Sequence, residues 1–233
     1  YKAIETGYPE GYIETLSEEY FKVSSNKNSS SGSDDTDSEE GITQEIEINY
    51  IEDLVDLANT VNSGTSYNGT LVKLARTLDF NEDNSYKNPN DTSYGDLNGD
   101  ETVEGIKAEL TNKAGVGFTP IGNTYSTPFS GIFDGQKNEI RNIYINTPKD
   151  SNAKALFGYI KSSKIKNLGV TGEIEASLNY VGGIVGNSSD ENLIINCYNK
   201  VNIKNSSIAG GIIGRAYDGI TIKKCSNYAS IDS

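Results

Sequence analysis

The chain has no histidine, no methionine and no tryptophan in 233 residues, and only two cysteines, Cys197 and Cys225. The missing histidine excludes most. A Ser–His–Asp triad, a Cys–His dyad and a His-ligated zinc site cannot be assembled from this chain alone. Hydrophobic residues are scarce at 35%, which is low for an ordinary globular core and fits a thin core in an elongated body. No run of about 18 apolar residues occurs, so no membrane-spanning helix is expected. Basic residues are outnumbered: 20 Lys and Arg against 33 Asp and Glu give a formal charge of −13. Such a chain lacks the basic footprint that phosphates require, which disfavours nucleic acid as a partner. The sequence opens on Tyr1, so the natural start is expected to be missing and any signal peptide removed or left out.

The charge is uneven. Residues 1–60 carry −12, residues 61–150 carry −4 and residues 151–233 carry +3. Residues 1–23 are rich in Tyr and Glu and are compatible with a short strand or a hairpin. Residues 24–41 hold Ser, Asn, Gly and acid with no apolar side chain. That composition offers nothing to offset the entropy of ordering, so a flexible linker is expected.

The pattern changes at residue 42. Ile42, Ile46 and Ile48 suggest a short strand. Ile51, Leu54, Val55, Ala58 and Val61 recur at helical spacing, with Asn49 and Glu52 as a capping box and Gly64 as a stop. Val72, Leu74, Leu78 and Phe80 then alternate as along one strand. Residues 42–80 thus read as strand, helix and strand. Residues 81–116 are polar and punctuated, an insertion with a small helix expected at Val103 to Leu110.

From residue 117 to residue 233 the chain repeats. GGIVG at Gly182–Gly186 returns as GGIIG at Gly210–Gly214, 28 positions later. Gly158, Gly186 and Gly214 share that spacing, and Ile174, Ile203 and Ile231 fall at 29 and 28. Ile143, Leu168, Cys197 and Cys225 align as one row, preceded by Asn142, Asn167, Asn196 and the exception Lys224. Short β-rich units at such a period indicate stacked coils, each with three apolar clusters, closed at the N-terminal end by the block at 42–80. The glycines then serve tight turns or close approach between coils. A phosphate loop would instead need a helix start and a GK[ST] sequence, neither of which follows.

These residues resemble the GLUG-type repeats of bacterial surface proteins, in which G-G-[ILV]-[IV]-G is followed by I-x-N-C-Y-N. Here those are Gly182–Gly186 with Ile194–Asn199, and a weaker copy at Gly210–Gly214 with Ile222–Asn227. The helix at 52–64, the LVKLARTLDF stretch, Gly117–Gly122 and Phe129–Gly135 resemble the front of the same solenoid. The resemblance covers roughly residues 46–233. It implies a mainly β fold, a right-handed parallel β-helix or solenoid with an N-terminal capping helix and a long loop insertion. It also implies an extracellular setting at a bacterial cell surface or cell wall. Similar repeats accompany some IgA-cleaving metallopeptidases, whose zinc motif needs histidines that this chain lacks. No catalytic residue carries over.

Candidate sites are few. Asp96, Asn98 and Asp100 space oxygen ligands at alternate positions, as does the first half of an EF-hand or dockerin loop. Glu101 and Lys107 stand where a glycine and a carboxylate are wanted, so a partial Ca²⁺ site, completed by Asp91 or Glu104, competes with a solvated acidic turn. Cys197 and Cys225 read first as small buried hydrophobes, then as an inter-coil disulfide, and last as metal ligands. Glu173 and Glu175 share a strand face and could serve as paired carboxylates, while the plain reading is exposed surface. Asp134, beside Gly135, holds a turn. The chain has 26 Asn and 15 Tyr. Asn142, Asn167 and Asn196 suggest an internal amide ladder, and exposed Tyr and Asn suit glycan or protein contact. The sequons Asn28, Asn68, Asn90, Asn187 and Asn205 would matter only in a eukaryotic secretory route.

The leading functional expectation is a non-catalytic secreted or cell-surface module, stalk or adhesin-like, that binds a host or bacterial surface glycan or protein. The alternative is a fragment of a carbohydrate-active β-helix enzyme, lyase-like or glycosidase-like. That alternative requires three or more of Asp134, Glu139, Arg141, Glu173, Glu175 and Arg215 to converge in one groove. End-to-end self-association is a third option.

Overall fold

The computed structural model describes residues 21–23, 41–81, 117–146, 153–176, 180–204 and 206–232. Residues 24–40 of the expected linker, residues 82–116 of the insertion with the helix expected at Val103 to Leu110, and the Asp96–Asn98–Asp100 motif lie outside them.

The first elements are β1 (Phe21–Val23), β2 (Gln44–Ile48) and the helix α1 (Ile51–Asn62). Ile51, Leu54, Leu57, Ala58 and Val61 form the buried stripe of α1, with Val55 only partly covered. The helix starts at Ile51 as its spacing suggested, but its N-cap is Tyr50, one residue later than the expected Asn49. Asp53, not Glu52, closes the first turn: its Oδ2 accepts the backbone N–H groups of Asn49 at 2.8 Å and Tyr50 at 2.9 Å. A shorter acid three residues into the helix can fold back onto those donors, whereas Glu52 is buried. Ser63 ends the helix and Gly64 follows at φ +100°.

The stretch that alternates through residues 70–80 is two strands, β3 (Thr70–Leu74) and β4 (Leu78–Asp79), separated by a corner. Leu71, Val72, Leu74, Leu78 and Phe80 are all buried. A thin core has to be enclosed from several sides, so the backbone bends while its apolar residues keep pointing inward. Each later coil repeats that course. Next come β5 (Ile132–Asp134) and β6 (Glu139–Asn146), then β7 (Phe157–Lys161), β8 (Lys164–Lys166) and β9 (Gly169–Glu175). The following coil is β10 (Tyr180–Gly182), β11 (Val185–Ser189), β12 (Asn192–Ile195) and β13 (Tyr198–Lys204). The last is β14 (Ile208–Gly210), β15 (Ile213–Ala216), β16 (Ile220–Lys223), β17 (Ser226–Asn227) and β18 (Ile231–Asp232).

Equivalent strands stack in parallel into a mainly β solenoid of about five turns. One sheet runs β2-β3-β5-β8-β12-β16, with β1 added antiparallel on β16. A second runs β4-β6-β9-β13-β17, with β18 on the far half of β13. The third is β7-β11-β15, and β10-β14 make a short fourth. Ile145, Ile174, Ile203 and Ile231 form one continuous row. Gly158, Gly186 and Gly214 form another, extended by Gly122 because Ile121 bridges Phe157. A Cβ on Gly158 would lie 2.6 Å from the Gly122 carbonyl, and one on Gly186 would lie 2.9 Å from that of Gly158. Only glycine allows the coils to approach this closely.

Two predicted rows need correction. Leu168, Cys197 and Cys225 do share a position, but Ile143 pairs with Gly172 instead. Asn142 therefore leaves the row of Asn167 and Asn196. What Asn167, Asn196 and Lys224 have in common is backbone: φ is +55°, +54° and +51°. These are left-handed corners, a conformation that asparagine tolerates better than most residues. Asn196 Nδ2 donates to Asn167 Oδ1 at 3.2 Å, so two members of the expected ladder do meet. The internal ladder is built elsewhere, by Asn199, which is fully buried and donates to Asn227 Oδ1 at 2.7 Å.

Phe133 and Phe129 each pack on Phe157 with ring centroids 5.3 Å apart, anchoring the core where the coils begin to repeat. The core thins in the last coil. Ile212, Ile213, Ile222 and Cys225 are only partly buried, and Ile208, Tyr217, Tyr228 and Ile231 are exposed.

Candidate functional site

The outer face of the second sheet carries an open groove of about 500 Å³, lined by Asn81, Asn142, Ile143, Tyr144, Thr171, Gly172, Glu173, Lys200 and Asn202. Its floor is a backbone irregularity. Ile140 pairs with Val170 and Ile143 with Gly172, so Arg141 and Asn142 together face Thr171. That is a β-bulge, which bends a strand and re-aims its side chains. Asn142 takes φ +57° and Gly172 φ +143°. A Cβ on Gly172 would sit 2.0 Å from the Ile143 carbonyl oxygen, so the floor stays bare.

The walls follow from register. Tyr144, Glu173 and Asn202 lie side by side on successive coils, as do Thr171 and Lys200. Asn142 donates from Nδ2 to Asp79 Oδ1 at 2.7 Å, and its N–H reaches Thr171 Oγ1 at 3.1 Å. Asn202 Oδ1 accepts from the Ser230 N–H at 3.2 Å. Glu173 accepts from Lys204 Nζ at 2.7 Å, an exposed pair. The Lys200 ammonium stands 5.4 Å from the Tyr198 ring centre. The groove thus offers carboxamides, hydroxyls, one aromatic ring and charges that already have partners.

At one end of this face Tyr198 crosses Gly169 and donates its hydroxyl to Glu139, which also accepts from Arg141 Nε. Three successive coils are tied by that one side chain. Burial alone would raise the Glu139 carboxyl, but the bonds from Tyr198 and Arg141 hold it below its ordinary value. The Tyr198 phenol is pushed up, by burial first and then by the carboxylate beside it.

Glu173 lines the groove, and the remaining five predicted residues do not. Glu139 and Arg141 pair with each other at the end of the face. In register Glu139 lies opposite Gly169, four residues from Glu173 along β9. At roughly 3.3 Å per residue that is about 13 Å, beyond the roughly 5–9.5 Å used by glycosidase carboxylate pairs. Glu175 accepts from Asn146 Nδ2 at 3.4 Å, and it shares one strand with Glu173 instead of facing it across a cleft. Asp134 lies in the first sheet and holds its turn, as its glycine neighbour suggested: Oδ1 accepts from Gln136 N–H at 2.9 Å and Asn167 Nδ2 at 3.0 Å, while Oδ2 lies 3.4 Å from Lys166 Nζ. Arg215 lies in the third sheet, stacked between Tyr180 and Tyr217 with ring centres at 4.5 and 4.1 Å. The convergence that an enzymatic reading calls for is therefore not met in this groove.

Among the described residues no three Cys, Asp or Glu side chains cluster as metal ligands. Cys197 and Cys225 are free thiols, the first buried. Asn187 is buried, so this fold has no room for a glycan there, whereas Asn68 is exposed. Sequence reasoning missed Tyr144, Thr171, Gly172, Lys200 and Asn202. One signal was available: Ile140 and Ile143 stand three apart where Ile143 and Ile145 stand two apart, a break in alternation that marks the bulge. No family model, curated protein or solved structure matches the chain.

Proposed function

We propose that the chain is a non-catalytic module of a secreted or bacterial cell-surface protein, adhesin-like, that binds a host or cell-wall ligand in the groove of the second sheet. The observation that carries this reading is the groove's construction: a bulge and a bare glycine floor beneath a rim of Asn81, Asn142, Asn202, Thr171 and Tyr144. Bulges recur where a strand is shaped for a site. Carboxamides, hydroxyls and a ring suit a polar ligand of low charge, such as the hydroxyl groups of a glycan. The GLUG-type repeat pattern and the glycine shaft support a surface role. A glycan and host-protein binding array with the intact chain tests the proposal, repeated with Lys200→Ala and Asn202→Ala. Binding that both substitutions weaken supports it, and binding indifferent to both sends the ligand elsewhere on the surface.

A carbohydrate-active role is the second reading. It draws on Glu173 and Glu175, two residues apart on one strand and both partly exposed, about 6.6 Å by strand rise. Turnover of a polysaccharide by the chain, abolished in Glu173→Gln, would replace the first reading with this one.

A further inference from the structure

Cys197 and Cys225 are neighbours in register on adjacent coils: Tyr198 pairs with Ser226, and the Ser226 N–H donates to the Cys197 carbonyl at 3.1 Å. Parallel partners of this kind stand about 4.8 Å apart, within the roughly 4.4–6.8 Å between Cα atoms that a disulfide needs. The two side chains also take equivalent orientations. Cys197 Sγ points at the carbonyls of Ile195 at 3.2 Å and Ile165 at 3.8 Å. Cys225 Sγ points at those of Lys223 at 3.2 Å and Ile194 at 3.6 Å. Ile195 pairs with Lys223 and Ile165 with Ile194, so the second set is the first displaced by one coil. The sulfurs are therefore stacked.

Stacked Cβ atoms are slightly too far apart for a disulfide, whose Cβ separation is about 3.8 Å. The position of the pair supplies the adjustment. Each cysteine directly follows a left-handed corner, Asn196 or Lys224, and precedes its strand, so a small approach does not break the strand's ladder. The thiols differ in access: Cys197 is fully buried, while Cys225 lies in the thinly covered last coil. Burial pushes the Cys197 thiol well up, and the hydrogen bond from Cys197 lowers that of Cys225. The accessible sulfur is thus also the better nucleophile.

We propose that Cys197 and Cys225 form an oxidation site, at which a small-molecule disulfide converts the pair into a cystine that clamps the last two coils together. The Cys225 thiolate attacks one sulfur of the oxidant and expels a thiolate, leaving a mixed disulfide. The Cys197 sulfur, as its proton departs, attacks Cys225 Sγ and expels the second thiolate. Two protein thiols lose two electrons, the oxidant becomes two thiols, and both protons end on them. The cystine closes a loop of one coil, 28 positions from Cys197 to Cys225. It would hold the coil whose apolar residues are least covered.

The test incubates the intact chain with glutathione disulfide or with dithiothreitol, then unfolds it in a maleimide and weighs it. The reduced sample takes two labels. The oxidised sample is expected to take none, to lose the mass of two hydrogens and to yield one cross-linked peptide pair. It should also melt higher, by roughly 5 °C. Two labels after oxidation, or a glutathione adduct that persists on Cys225, would overturn the site, and equal melting would overturn the clamp. In Cys225→Ser the buried Cys197 should resist the oxidant. Attack there at the wild-type rate would overturn the proposed order.

Discussion

The Asn199 carboxamide occupies the space that a side chain on Gly183 would need: a Cβ there would lie 2.1 Å from Asn199 Oδ1. The same arrangement recurs one coil on, where a Cβ on Gly211 would lie 2.3 Å from Asn227 Cγ. The second glycine of each GGxxG and the asparagine 16 residues later are therefore one device. The glycine vacates the interior, and the asparagine fills it with an amide that satisfies the Val201 N–H at 2.8 Å and bonds to its copy at 2.7 Å.

Gly183→Ala should accordingly cost about 2–4 kcal/mol, because the amide must leave and its buried partners lose their bonds. Asn199→Ala alone should cost about 1–3 kcal/mol. The double variant should cost less than the sum, since the clash vanishes with the amide. Urea denaturation of the four proteins measures the coupling, and strict additivity would count against the device.

Gly172→Ala should cost about 3 kcal/mol or more, through both its left-handed φ and its clash with the Ile143 carbonyl. Gly64 provides the control. It has φ +100° but no atom within 4 Å of the missing Cβ, so Gly64→Ala should cost only about 1 kcal/mol. Equal costs would mean that the floor of the groove relaxes freely.

The Glu139–Tyr198 contact makes stability depend on pH in both directions. The folded Glu139 pKa lies below the ordinary 4.5, so its contribution is complete above that value and is lost as pH falls from there through the folded pKa. The Tyr198 phenol is raised above the ordinary 10.0, so its contribution is complete below pH 10.0 and is lost as pH climbs beyond it. Glu139→Gln should flatten the acid limb and Tyr198→Phe the alkaline limb, both read as denaturation midpoints across pH. Unchanged limbs would place the dependence elsewhere.

The left-handed corners predict a hierarchy at residue 196. Lys224 already holds the equivalent position at φ +51°, so Asn196→Lys and Asn196→Gly should be mild. Asn196→Val should cost about 1–2 kcal/mol more, because a β-branched side chain clashes in that conformation. Thermal melting of the three variants ranks them, and a valine variant as stable as the lysine one would contradict the corner assignment.

Which residues recur was legible in the chain itself. The spacing of Gly158, Gly186 and Gly214, and of Ile174, Ile203 and Ile231, specified parallel coils, because identical turn residues at one period can satisfy identical backbone geometry only by stacking. The helix at Ile51–Asn62 was legible for the same reason: its periodicity is local. Lateral register was decided only in three dimensions. Ahead of the bulge in β6 Glu139 lies opposite Gly169, which puts Asn138 beside Leu168, and past it Ile143 lies opposite Gly172; the repeat spacing alone does not say which residues of neighbouring coils face each other. The groove, its bare floor at Gly172 and the reach of Tyr198 over Gly169 to Glu139 all follow from that register. The repeat determined the shaft, while contacts between coils, invisible to periodicity along the chain, decided where its surface opens.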